Sequence, residues 1–330
     1  IAVVFLHANN CFWTFNPTAR YWKTANFIEC FFYFAVPIFF MISGATLIDY
    51  NKRYDLNTYF KKRIHKTFIP YIIWSILGLI FQIIYLKSIK LSQVNFKMIL
   101  NGLLSTSNCL VQVYWFFIPL FCIYLAIPII SEIPIQKRKK IFIYVIVIQL
   151  FFGAFIPFIN SIFNLEIQYY FFGLSDSYLI YIFLGYLLTH YEIKPSHRHL
   201  AYILGILGLL LHFFGTYFSS IHANKIIGIY KGYINIPCLL YSTAIFILFR
   251  YAGQKIMQNR IINIIINRIK NYTFSLYLLH WYILQILLKE FSINETSIIY
   301  RMTAPFIALG ITIIITEIIR KIPVIQRILP

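Results

Sequence analysis

Apolar residues run along this chain in blocks of roughly 20, which is the length an α-helix needs to cross the hydrocarbon core of a bilayer. After an opening fragment that ends at the polar turn Asn16-Pro17, the blocks lie near 27–50, 67–87, 110–130, 141–160, 169–190, 200–222, 232–251, 272–291 and 301–322, with Asp176 interrupting the fifth. Ile and Val are abundant, yet the blocks are too long and too uniformly apolar for barrel strands, which alternate apolar and polar positions over about ten residues. Helices are the remaining way to satisfy backbone polar groups in lipid. The pattern predicts an all-α polytopic membrane protein, one integral-membrane domain over residues 1–330, built as a bundle of about ten transmembrane helices. The first helix is expected to be truncated at its N-terminus, with upstream residues missing, because only about a dozen residues precede the first polar turn. No basic start or small-residue cleavage site marks that fragment as a signal peptide.

Composition agrees: 60% hydrophobic and 12% charged residues leave too little polar surface for a soluble domain of 330 residues. The net charge of +19 raises the question of nucleic acid, and its distribution answers it. Segments 51–66, 131–140, 191–199, 250–271 and 318–330 hold 20 of the 29 Lys and Arg residues, in alternate connections between blocks. That asymmetry marks these loops as cytoplasmic. A nucleic-acid footprint would cluster on one soluble module, so no nucleic-acid partner is expected. The five cysteines show no metal-ligand spacing and no metal is expected, while Cys11 and Cys109, both near the outer face, leave a disulfide open.

Ionisable groups within the spans cost about 2.5 to 3.5 kcal/mol each at helix centre and so require a reason. His7 lies near the outward end of the first span and His280 well inside the ninth; each is either a buried ring satisfied by a neighbouring carbonyl or a reactive group. In "VPIFFMISG", Pro37 kinks the helix, and Ser43-Gly44 lets either a neighbouring helix or a ligand approach closely. Lys61, Lys62, Arg63 and Lys66 stand where the chain re-enters the membrane. They serve either as topology determinants at the lipid phosphates or as a seat for a polyanionic cytoplasmic cosubstrate. Trp115 and Trp281 fit an interfacial aromatic belt.

Taken in order, "VVFLH", "VPIFFMISG", the basic run before Pro70-Tyr71, the segment opening with Trp115-Phe116-Phe117, "LGYLL" and "SLYLLHW" resemble the landmarks of acyltransferase family 3, bacterial membrane O-acetyltransferases that modify surface glycans. The resemblance covers residues 1 to about 284 and is greatest with stand-alone members that lack an SGNH-type domain. It implies an enzyme of the bacterial inner or plasma membrane that moves acetyl from cytoplasmic acetyl-CoA to a hydroxyl of a surface polysaccharide or lipid-linked saccharide. The family's essential histidine maps onto His7, and its RxxR motif onto Arg63 and, as a departure, Lys66. Its arginine before the VP pair is replaced here by Tyr33-Phe34, and another arginine of the first span would fall upstream of Ile1.

On this reading His7 is the general base or a covalent acetyl carrier, and Glu29, the acidic residue near the outer ends of the first two spans, is its candidate partner. Arg63, Lys66, Lys62, Ser43 and Gly44 are expected on the acetyl-CoA side, and Asn10, Tyr71, Trp115 and His280 toward the acceptor. Rival readings are a transporter or flippase for a lipid-linked saccharide, a non-catalytic scaffold of a polysaccharide-synthesis complex, and, within the enzyme class, transfer of another short acyl group such as succinyl.

Overall fold

The computed structural model describes residues 1–163, 165–167, 177–322 and 329. Twelve helical segments order the described chain: α1 (Ala2–Ala8), α2 (Arg20–Lys52) and α3 (Leu56–Leu86), α4 (Phe96–Leu104), α5 (Gln112–Ser131), α6 (Ile135–Phe163), α7 (Leu179–His190), α8 (Pro195–Ala223) and α9 (Ile236–Met257), α10 (Arg260–Ile269), α11 (Thr273–Glu290) and α12 (Ile298–Arg320). No strand occurs among the described residues.

Seven of these segments, α2, α3, α5, α6, α8, α9 and α12, are long and apolar enough to cross a membrane. The count is near but below the expected ten. The remaining three blocks are occupied by α1, with 7 residues, by α7, an apolar helix of 12 residues, and by α11, with 18 residues. In α11 the polar Ser275, His280, Gln285, Lys289 and Glu290 dilute an otherwise apolar helix. Asp176, expected to interrupt the block that α7 occupies, lies outside the described residues.

Prolines set the irregularities of the long helices. Pro37 has no N–H to offer the carbonyl of Tyr33, and α2 breaks into a turn at Tyr33-Phe34 before resuming at Ala35. Wide π turns at Ile64–Phe68 and Gln149–Phe155 stand immediately ahead of Pro70 and Pro157, where the same missing donor interrupts the ladder. Asp55 and Asn95 cap α3 and α4 by accepting the backbone N–H groups of Thr58 and Met98 at 3.1 and 2.9 Å.

Small residues decide which helices touch. Gly44 of α2 lies against the carbonyl of Ile182 in α7, and Gly185 of α7 against the carbonyl of Met41 in α2. Gly205 and Gly208 bring α8 onto Ala244 and Pro237 of α9 in the same way. At the helix ends that carry the basic loops the buried Arg138 joins α6 to α2, α5 and α7: it pairs with Asp49 at 2.6 Å and donates to the Tyr186 hydroxyl and the Ser131 carbonyl. Three tyrosines pin α11, with the hydroxyls of Tyr114, Tyr277 and Tyr282 donating to the carbonyls of Leu278, Val113 and Trp74. These pins fix the helix that carries His280. α10, between α9 and α11, leaves Ile261, Ile264 and Ile265 exposed along one side.

Candidate functional site

α1 packs against α2, α11 and α12, and this brings the two intramembrane histidines together. The rings of His7 and His280 lie with centroids 5.1 Å apart, tilted by 36°. His7 is half-buried and lines an outer cavity of about 480 Å³. His280 is fully buried; its Nδ1–H donates to the Leu276 carbonyl at 3.0 Å, and Nε2 has no hydrogen-bond partner among the described residues. A buried ring nitrogen without a partner is a costly arrangement, which argues against a purely space-filling role.

Around the same cavity stand Asn10, Glu29, Gln112 and Ser107 with the aromatic rings of Trp13, Tyr33, Trp115, Tyr178 and Tyr233. Trp115, Tyr233 and Tyr33 form a continuous stack, with centroids 5.4 Å and 4.1 Å apart at successive contacts. The lining thus combines flat apolar faces with several polar groups, the composition of a pocket that orients a polar ligand. Of the residues expected toward the acceptor, Asn10 and Trp115 line this cavity, together with the candidate catalytic residues His7 and Glu29, whereas His280 is not in its lining. Tyr71 does not: it is buried among Phe117, Phe121 and Tyr114, and its hydroxyl donates to the Leu103 carbonyl at 2.7 Å.

Glu29 belongs to a buried polar chain that sequence reasoning did not anticipate. Its Oε1 lies 3.0 Å from the Lys231 ammonium, and its Oε2 accepts from the Asn9 amide at 3.4 Å. Asn9 also donates to the Ala25 carbonyl and accepts from the Arg301 guanidinium, which in turn donates to Thr24 and the Thr296 carbonyl. Lys231 is further caged by the rings of Tyr33, Trp13 and Phe12 at 4.1, 4.4 and 5.0 Å. Two cations and one carboxylate leave this network with one excess positive charge beside the His7 cavity. The signals for it were present. Arg301 begins an otherwise apolar block, and Lys231 falls in an outer connection, where the positive-inside rule predicts few cations.

On the cytoplasmic side, Ser43 and Thr67 line a cavity of about 230 Å³ with Tyr124, Thr273 and Tyr277. A further apolar cavity of about 160 Å³ shares Phe39, Ile42, Thr273 and Tyr277 with it and is also lined by Val3, Val4 and Leu276, one turn short of the two histidines. Arg63 packs on Tyr124, a lining residue of the first of these cavities, its guanidinium 5.4 Å from that ring centroid and 5.6 Å from that of Tyr59, with Nε buried and without a hydrogen-bond partner among the described residues. Lys62 sits over Tyr54 at 3.8 Å, and Lys66 is exposed. Gly44 stands apart from the cavities, since its approach is taken by α7: a Cβ there would come within 1.9 Å of the Ile182 carbonyl oxygen.

The disulfide left open between Cys11 and Cys109 is not formed; both are free thiols. Among the described residues, no three His, Cys, Asp or Glu side chains are grouped to hold a metal ion.

Comparison with curated proteins and with solved structures finds no match. A family described as an acyltransferase domain matches residues 1–319, nearly the whole chain. The chain, a multi-pass membrane protein by its helices, therefore belongs to acyltransferase family 3 and is a membrane acyltransferase.

Proposed function

We propose that this acyltransferase moves an acetyl group from cytoplasmic acetyl-CoA to a hydroxyl of a surface polysaccharide or lipid-linked saccharide in a bacterial inner or plasma membrane, with His7 as general base. The observation that carries this reading is the position of His7: a half-buried imidazole on the wall of a polar and aromatic outer cavity, within a chain of this family. A pyranose presents flat C–H faces and hydroxyls together, and the stack of Trp115, Tyr233 and Tyr33 beside Asn10 and Gln112 suits both.

Support for the donor side is the pair of inner cavities that share Phe39, Ile42, Thr273 and Tyr277, with Arg63 packed on the lining residue Tyr124 at one end and Val3 and Val4 toward His7 at the other. The basic residues suit the phosphates of coenzyme A, and the apolar stretch beyond them suits its thioester arm. In the reaction the saccharide hydroxyl oxygen bonds to the acetyl carbon as His7 takes the hydroxyl proton. The C–S bond then breaks, and the proton passes from His7 to the departing thiolate. Proton transfer of this kind contributes about 10² to 10⁴-fold in rate. Attack by His7 itself on the thioester, followed by transfer from an acetyl-imidazole, is the covalent form of the same chemistry.

The test is acetyl transfer by the purified protein in lipid, with labelled acetyl-CoA and candidate saccharides. His7→Ala should abolish transfer while the protein still inserts in the membrane. Near-normal transfer by that variant removes His7 from the mechanism, and labelled protein without acceptor identifies the covalent form.

A further inference from the structure

His7 faces the outer cavity, whereas His280 stands behind it, fully buried and outside the cavity lining. This ordering, base in front and second ring behind, frames the role of His280. Its tautomer is fixed: Nδ1 carries the proton donated to the Leu276 carbonyl, so Nε2 bears the lone pair and has no hydrogen-bond partner among the described residues. With centroids 5.1 Å apart and planes tilted by 36°, the two rings are direct neighbours, and no hydrogen bond joins them in this arrangement. Three tyrosine pins hold α11 against α3 and α5, so the position of the buried ring is set by the helix as a whole.

We infer that His280 is a positioning residue for His7: when the half-buried His7 ring turns toward it, the free Nε2 accepts the N–H of the facing His7 nitrogen, which leaves the lone pair of the other His7 nitrogen directed into the outer cavity. The inference rests on the reading of His7 as the base. In a neutral imidazole, the hydrogen bond made by one nitrogen determines which nitrogen carries the proton. An orienting acceptor holds a histidine base in one tautomer, and Glu29, the carboxylate that lines the cavity, is engaged instead by Lys231 and Asn9. When His7 takes the acceptor's proton both its nitrogens become donors, and His280 Nε2 continues to receive one of them. His280 itself neither gains nor loses a proton.

The experiment uses the full chain in lipid nanodiscs with His280→Leu, which keeps bulk and removes the acceptor, and His280→Gln, whose side-chain amide carries both a donor and an acceptor. His280→Leu should lower kcat about 100-fold with KM for acetyl-CoA and saccharide unchanged, and His280→Gln should recover part of the loss. Nitrogen-15 spectra of the histidine rings, assigned with a His7→Ala variant, should show His7 in one tautomer in the parent protein and in a mixture in His280→Leu. Unchanged kcat in His280→Leu, or an unchanged His7 tautomer alongside a lower kcat, overturns the inference and leaves His7 as base. Normal transfer by His7→Ala overturns the base reading and this inference together.

Discussion

Glu29 and Lys231 meet 3.0 Å apart at the outer end of α2, with both side chains withdrawn from solvent. The pair is surrounded by aromatic rings and held from the far side by Asn9 and Arg301. Its worth lies in mutual compensation, because either charge alone would be stranded in a low-dielectric setting.

Breaking the pair from one side should therefore cost more than removing it. Lys231→Met leaves Glu29 uncompensated and should destabilise the protein by about 3–5 kcal/mol. The double variant Glu29→Leu with Lys231→Met should recover a substantial part of that loss. Thermal unfolding in lipid of both single variants and the double checks this, and a loss in the double variant equal to the sum of the two single losses would show that the two charges are not coupled.

The paired glycines between α2 and α7 make a second prediction. A Cβ at Gly44 would fall 1.9 Å from the Ile182 oxygen, and one at Gly185 would fall 2.0 Å from the Met41 oxygen. Both obstacles are backbone, which cannot rotate away, so Gly44→Ala and Gly185→Ala should each cost at least the 1–3 kcal/mol typical of overpacking (about that range). Gly310, with nothing within 4 Å of the added carbon among the described residues, is the control, and Gly310→Ala inside α12 should leave stability unchanged or raise it by up to about 1 kcal/mol. Loss of acyl transfer in Gly44→Ala at full thermal stability would return that glycine to a ligand-binding role.

How far the sequence could be read depended on the range of the interaction. Apolar block length revealed the helical class because it depends on local composition, and the loop charges, Arg63 and Lys62 among them, set the expected orientation by the same kind of local count. Ser43-Gly44 was ambiguous on its own, since a small residue admits a helix and a ligand equally; only the position of Ile182 resolves Gly44 as packing. Tyr71 was misplaced because its partner, the Leu103 carbonyl, is a backbone group with no sequence signature. The proximity of His7 to His280 and the Arg301-Asn9-Glu29-Lys231 chain join residues hundreds of positions apart, and no spacing rule reaches that distance.

Cys109, in the outer connection before α5, tests burial through reactivity. Burial pushes its thiol up from 9.0 to about 11. The thiolate is the reactive species, so at pH 8, below both values, the reactive fraction is about 100-fold smaller than for an unshifted thiol. Alkylation of a variant retaining Cys109 as its only cysteine should be slow at neutral pH and accelerate roughly tenfold per pH unit up to about pH 11. A plateau near pH 9 would show that the thiol is open to solvent in the membrane-embedded protein.

Arg63 and Lys66 separate charge from geometry at the cytoplasmic entrance. Arg63 is half-buried between two tyrosine rings with an unpaired Nε, whereas Lys66 is exposed, so the two should contribute unequally to donor binding. A hydrogen bond to a charged group is worth about 1.5–3 kcal/mol, so Arg63→Gln should raise KM for acetyl-CoA roughly 10- to 100-fold with little effect on kcat. Lys66→Gln, at an exposed site where paired charges contribute about 0.2–1 kcal/mol, should raise it less than about fivefold. Lys66→Arg should lower KM below that of the parent, because a guanidinium presents two donors in the plane of a phosphate where an ammonium presents a point charge. Steady-state kinetics over a range of acetyl-CoA concentrations decides the matter. If Arg63→Gln changes only the amount of protein inserted in the membrane and leaves KM alone, the cluster orients the chain in the bilayer and the phosphates bind elsewhere.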